Sequence, residues 1–230
     1  MWIKICANTN LEDAQLAAQL GADAVGFVFA PSSRQVTPQQ VARITPHLPP
    51  HVERIGVFPA LSADEIAQHA RQSGLTGVQL HGGVNLALLQ RLQQLLDGKI
   101  KIIQTVHWHL NPEGASTPIS QKASQQVSQQ LREIATQAIA HRVLIDSKVG
   151  DATGGTGISF DWNAARAVLT NAGEQLNVIV AGGLRPDNVA EAIRRLAPWG
   201  VDVASGVEET PGRKSPEKLA AFIKSAREPQ

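Results

Sequence analysis

Cysteine, net charge and long apolar stretches are all scarce in this 230-residue chain. The single cysteine excludes an intrachain disulfide and any multi-cysteine metal site. With no apparent signal peptide at the start, it favours a reducing cytoplasm as the compartment. The formal net charge of +1 gives no electrostatic reason to expect nucleic acid or an anionic membrane as a partner, although a local cluster of donors can still bind an anion. No apolar run approaches the ~20 residues that a membrane span needs. What is present is 43% hydrophobic and 18% charged residues, enough to bury a full core. No composition shift marks a boundary, so residues 1–230 read as one domain, in the size range of α/β barrels of ~250 residues.

Short apolar runs alternate with longer amphipathic ones. The strand-like runs are 2–6, 24–29, 54–58, 77–80, 100–106, 142–146, 177–181 and 200–204. Helix-like segments follow at 11–20, 38–47, 63–72, 84–97, about 120–140, 161–170, 186–197 and 215–226. Such alternation implies βαβ units and a parallel sheet, and eight of each is the count of a closed (β/α)8 barrel. Thr37-Pro38 and Ser215-Pro216 are N-cap and N1 pairs, and Ser62 with Glu65 makes a capping box. The segment 107–130, rich in Gln and Ser, is irregular. Its start, with His107, Trp108, His109, Asn111, Pro112 and Gly114, reads as an elongated solvent loop after the fifth strand. A metal or stacking site around Trp108 is the weaker alternative, because no third ligand lies nearby in sequence.

Gly182-Gly183 follows the apolar run 178–181, and Ser205-Gly206 follows 201–204. Two consecutive strand-to-helix turns with small residues and bare N–H groups form a phosphate cup, which a (β/α)8 barrel carries after strands 7 and 8. Barrel chemistry sits at the C-terminal strand ends, where Cys6, His81 and Asp146 lie and where the loop bearing Arg34 begins. Taken alone, Cys6 reads more readily as an inert buried thiol, and Asp146 as readily as a carboxylate held by backbone N–H groups or Lys148. Arg34 alternatively reads as a solvated loop arginine, and His81 as a capping histidine. Lys4 and Cys6 share a strand parity, as do Asp202 and Ala204. Since the first and eighth strands adjoin in a closed barrel, Lys4 and Asp202 are expected to pair inside it.

The ordered set of motifs resembles the phosphoribosylanthranilate isomerase family of tryptophan biosynthesis. The motifs are Lys4-Ile5-Cys6, Gly21-Ala22-Asp23-Ala24-Val25-Gly26-Phe27, Pro31-Ser32-Ser33-Arg34, Gln79-Leu80-His81-Gly82, Leu144-Ile145-Asp146, Gly154-Gly155-Thr156-Gly157, Ala181-Gly182-Gly183-Leu184 and Asp202-Val203-Ala204-Ser205-Gly206-Val207-Glu208. The resemblance implies an Amadori rearrangement that needs no metal and no cofactor. It implies Asp146 as general acid and Cys6 as general base with a lowered pKa. It further implies Arg34 on the anthranilate carboxylate, His81 at the mouth, Gly155 in a closing loop, and Gly182, Gly183, Ser205 and Gly206 on the phosphate. The partner is then a small phosphorylated substrate, with monomer and homodimer both open. One departure stands out: Ala7-Asn8-Thr9 occupies the place where that family usually has Gly-Ile-Thr, which puts a methyl beside the base. Rival readings are the analogous histidine-pathway barrel, a Schiff-base aldolase using Lys148 beyond the sixth strand, and a barrel kept as a structural partner.

Overall fold

A computed structural model describes residues 1–110, 118–138, 140, 142–149, 162–173 and 175–228. Eight parallel strands close into a barrel in sequence order: β1 (Trp2–Ile5), β2 (Ala24–Val28), β3 (Glu53–Phe58), β4 (Gly77–Leu80), β5 (Lys101–Leu110), β6 (Arg142–Val149), β7 (Asn177–Ala181) and β8 (Gly200–Val203). The helices α1 (Leu11–Gln19), α2 (Pro38–Ile44), α3 (Ala63–Gln72), α4 (Leu86–Leu96), α5 (Pro118–Gln137), α6 (Trp162–Gly173), α7 (Val189–Leu196) and α8 (Pro216–Arg227) follow the strands in turn. The expected α/β barrel is the observed fold. Both capping boxes form, Thr37 with Gln40 and Ser62 with Glu65, and the Ser215 side chain accepts from the Lys218 amide.

Several boundaries differ from the sequence reading. Pro46 cannot donate to a helical ladder, and α2 gives way to a 3-10 turn at Thr45–His47. α7 begins at Val189 rather than 186, because the Asn188 side chain is engaged with the backbone of Arg185 and Gly183. A short hairpin, β9 (Glu208–Thr210) with β10 (Arg213–Lys214), stands between β8 and α8. The largest difference lies at β5 and β6. His107–Leu110 continue the strand, paired in register with Asp146–Val149, and Trp108 is buried rather than solvated. Lys148 therefore stands within β6 and not in a loop past it. Polar residues at a barrel mouth interrupt the apolar run, and that hides the strand from a pattern reading.

The core has two compartments. One lies between strands and helices. The other fills the lumen with Trp2, Ala24, Ile55, Ile103, Leu144, Ile179 and Ala181. Alternation then sends Lys4, Cys6, His107, Asp146 and Asp202 to the same inner side as those residues. At the floor, the Arg142 guanidinium lies over the Trp2 and Trp199 rings and pairs with Glu53. Among the described residues no helix is long and apolar enough to cross a membrane.

Candidate active site

A cavity of about 450 Å3 opens at the C-terminal ends of the strands. Cys6, Arg34, His81, Asp146, Gly182, Gly183, Ser205 and Gly206 all line it, together with Ala7 and Asp202. The structure thus brings together every described residue proposed from sequence for the site. Gly155, in the loop after β6, lies outside the described residues, as does the neighbouring Asp151.

Cys6 follows β1 and is held there by its amide, which donates to the Val203 carbonyl at 2.8 Å. Its thiol fits only because β2 carries glycine opposite. A Cβ on Gly26 would stand 2.8 Å from Cys6 Sγ and 3.0 Å from Lys4 Cε. Below it, Lys4 Nζ donates to Asp202 Oδ1 at 2.9 Å, the pair anticipated from strand parity, with Lys4 and Asp202 as register partners. Both side chains are buried, so neither charge could be left alone without a cost of ~3–5 kcal/mol. Burial pushes the Cys6 thiol above its ordinary pKa, and the Asp202 carboxylate adds to this, while Lys4 and Lys214 pull the other way. The expected lowering is therefore not met in the empty cavity, because desolvation outweighs the nearby ammonium groups. Burial by itself would lower Lys4, but the charge of Asp202 and its hydrogen bond offset this, and the amine is held above its usual value.

The departure at Ala7-Asn8 is resolved in physical terms. Ala7 takes φ +62°, the left-handed region that favours glycine, and so stores strain beside Cys6. Asn8 is fully buried and does not line the cavity. Its Nδ2 donates to the Ile5 carbonyl at 2.8 Å and to the Gly26 carbonyl at 3.2 Å, which stitches the first loop to β1 and β2.

Arg34 is engaged by Glu208, which sequence reading placed in a motif without a role. Arg34 Nε donates to both Glu208 oxygens at 2.9 and 3.0 Å, and Nη2 donates to Oε2 at 2.7 Å. Burial alone would raise Glu208, but the hydrogen bonds from Arg34 and the Lys214 charge hold it below the ordinary carboxylate range. Lys214 is a second residue that the sequence did not flag. Its buried Nζ donates to the Cys6 carbonyl at 2.6 Å, the Ala204 carbonyl at 3.3 Å and Glu208 Oε1 at 3.3 Å. One ammonium thereby fixes the end of β1, the end of β8 and the hairpin, and burial depresses its pKa. No local pattern could reveal a contact spanning 208 residues.

The cup is formed by two loops that touch. Gly182 and Gly183 follow β7 with φ +91° and +67°, and a Cβ on Gly206 would stand 1.9 Å from the Leu184 carbonyl oxygen. Glycine at 206 is thus required by the approach of the loop after β7. At the ends of β4, β5 and β6, His81, His107 and Asp146 each place one nitrogen or oxygen within 4.8 Å of the others. His107 Nε2 lies 3.0 Å from the His81 carbonyl, and the two rings meet edge to face with centroids 4.8 Å apart.

Comparison with known proteins agrees with this geometry. The model of the N-(5'phosphoribosyl)anthranilate (PRA) isomerase family matches residues 3–225. An N-(5'-phosphoribosyl)anthranilate isomerase of Pelobacter propionicus is 40% identical, over 98% of this chain and 95% of that relative. The crystal structure of phosphoribosyl anthranilate isomerase from Thermotoga maritima is similar, with TM-score 0.79 and 33% identity over 99% of this chain and 98% of that one. A phosphoribosyl anthranilate isomerase in complex with reduced 1-(o-carboxyphenylamino)-1-deoxyribulose 5-phosphate is also similar, with TM-score 0.76 and 32% identity over the same shares of the two chains. With the motifs in order, the barrel closed and the cavity at its mouth, the chain belongs to the N-(5'-phosphoribosyl)anthranilate isomerase family.

Proposed function

We propose that this mouth converts N-(5-phosphoribosyl)anthranilate to 1-(2-carboxyphenylamino)-1-deoxyribulose 5-phosphate with Asp146 as general acid and Cys6 as general base. Asp146 gives a proton to the furanose ring oxygen as the C1–O bond opens, leaving an iminium between C1 and the anthranilate nitrogen. The Cys6 thiolate then removes the proton from C2, and the electron pair flows to the iminium nitrogen to give an enolamine. Tautomerisation of the enolamine yields the ketone. Acid and base come from different strands, so both can face the sugar carbons at once.

The observation that carries this reading is one cavity lined by Cys6, Asp146, Arg34 and both small-residue turns. The amide groups of Gly182, Gly183, Ser205 and Gly206 suit the phosphate, and Arg34 suits the anthranilate carboxylate. Glu208 already takes Nε and Nη2 of Arg34, so Arg34 reaches the substrate with Nη1 or by exchanging one contact. His81 lines the same mouth. The raised thiol pKa of the empty cavity is compatible with the role of Cys6. The iminium is a positive charge delivered next to Lys4, and it favours the thiolate at the step that needs it.

Loss of anthranilate fluorescence on mixing with fresh phosphoribosylanthranilate measures turnover. Cys6→Ser and Asp146→Asn should each lower kcat by on the order of 10²–10⁴-fold. Their circular dichroism should match the parent. Parent-like turnover in both variants removes the assignment.

A further inference from the structure

We propose that His81, His107 and Asp146 form a site for a borderline divalent transition ion of the Zn2+ class beside the mouth. The donors come from the ends of three successive strands: His81 follows β4, His107 lies on β5 and Asp146 lies on β6. Two of them are register partners, His107 with Asp146. The third is anchored by its amide, which donates to the Phe58 carbonyl at 2.9 Å. The barrel, rather than a loop, thus sets their spacing, and one donor atom of each lies within 4.8 Å of the others.

The tautomer of His107 is fixed by its surroundings. A carbonyl oxygen only accepts, so the 3.0 Å contact of Nε2 with the His81 carbonyl puts a hydrogen on Nε2, and in the neutral ring Nδ1 is then the nitrogen a metal takes. A ring that donates one N–H to a backbone carbonyl and offers the other nitrogen is the usual arrangement of a metal-bound histidine. Two imidazoles with one carboxylate favour Zn2+, Co2+ or Ni2+ over Mg2+ and Ca2+, which prefer oxygen. Tetrahedral bonds of ~2.0–2.1 Å need donors about 3.3 Å apart, so side-chain rotation must close the widest gap by about 1.5 Å. An ion there holds Asp146 ionised and unable to deliver a proton, so it blocks turnover. This last consequence rests on the acid role proposed above; the site itself does not.

The test uses the full chain freed of metal with a chelator. Zn2+ binding is followed by calorimetry and Co2+ binding by its visible absorption, with His107→Gln and Cys6→Ser beside the parent. Gln keeps a donor for the His81 carbonyl but cannot offer the imidazole nitrogen. The parent should bind one ion per chain. His107→Gln should bind at least about 100-fold more weakly, and Cys6→Ser about as well as the parent. Zn2+ should stop isomerisation by the parent, and chelator should restore it. Equal affinity in the parent and His107→Gln, no binding at all, or binding lost only in Cys6→Ser would each overturn the site, the last by assigning the ion to the thiol. Binding at His107 that spares turnover upholds the site and counts against Asp146 as the acid, so the two failures are distinguishable.

Discussion

At the floor of the barrel, Arg142 lies 5.3 and 4.6 Å from the ring centroids of Trp2 and Trp199 and pairs with Glu53 at 2.5 Å; Glu53 also takes Lys101 at 2.6 Å. At the mouth, Cys6, His81 and Asp146 surround an open cavity of about 450 Å3. Both ends gather polar groups, but toward different ends. The floor charges meet opposite charge or aromatic faces within the chain, which closes the lumen and stabilises it. The mouth groups converge on space that a ligand can fill, while their own supports, Lys214 and Glu208, sit behind them. The difference teaches that a charged residue in a barrel is read by what faces it, because residue type alone does not separate Arg142 from Arg34.

Arg142→Ala should strike the floor hardest. It removes the cation over two tryptophans and leaves Glu53 half-buried beside Lys101 alone. A loss of about 2 kcal/mol is expected, or roughly 4–8 °C in Tm, with kcat/KM preserved. Acid titration sharpens the same point. Burial would raise Glu53, but Arg142 and Lys101 hold it below its ordinary value. A depressed carboxylate contributes stability that is present above its unfolded pKa of ~4.3 and is lost as pH falls through the lower folded value. Arg142→Ala should flatten that acid loss in a pH series of thermal melts. A parallel fall in kcat/KM would break the division between the two ends.

At the mouth, Gly206→Ala should force the loop after β8 away from the Leu184 carbonyl and deform the cup. KM should rise by roughly tenfold, about 1.4 kcal/mol, with a smaller change in kcat. An unchanged KM would detach the cup from phosphate binding. The smallest effect is expected at Ala7. Replacement by glycine relieves about 1–2 kcal/mol of left-handed strain but costs about 0.5–1 kcal/mol in chain entropy. A net gain of about 0.5 kcal/mol should appear in denaturant unfolding; a loss would mean that Ala7 is not strained in solution.

Much of this was legible in the sequence. The eight strands, the barrel and the Lys4–Asp202 pair followed from alternation and parity, because burial on both faces of a parallel strand writes an apolar run. The site residues became specific only through the order of the motifs; Cys6 alone reads more readily as an inert thiol. Four things escaped. His107 was hidden because a polar strand end looks like a loop. The engagement of Arg34 by Glu208 and the placement of Lys214 were hidden because their partners lie far away along the chain. The direction of the Cys6 shift was missed because depth of burial is a tertiary quantity.

The register of β1 with β8 has a kinetic consequence. Trp2 meets Gly200 and Lys4 meets Asp202 only when the first and last strands join, the longest loop closure in the chain and an entropic cost that local contacts cannot offset in advance. The proposed base leaves one side of that join and the proposed phosphate cup lies on the other. A chain that has folded its successive βα units but not yet joined its ends would hold native helices and strands and no competent mouth. Recovery of turnover during refolding should therefore trail recovery of secondary structure, and activity becomes a report on the last contact to form.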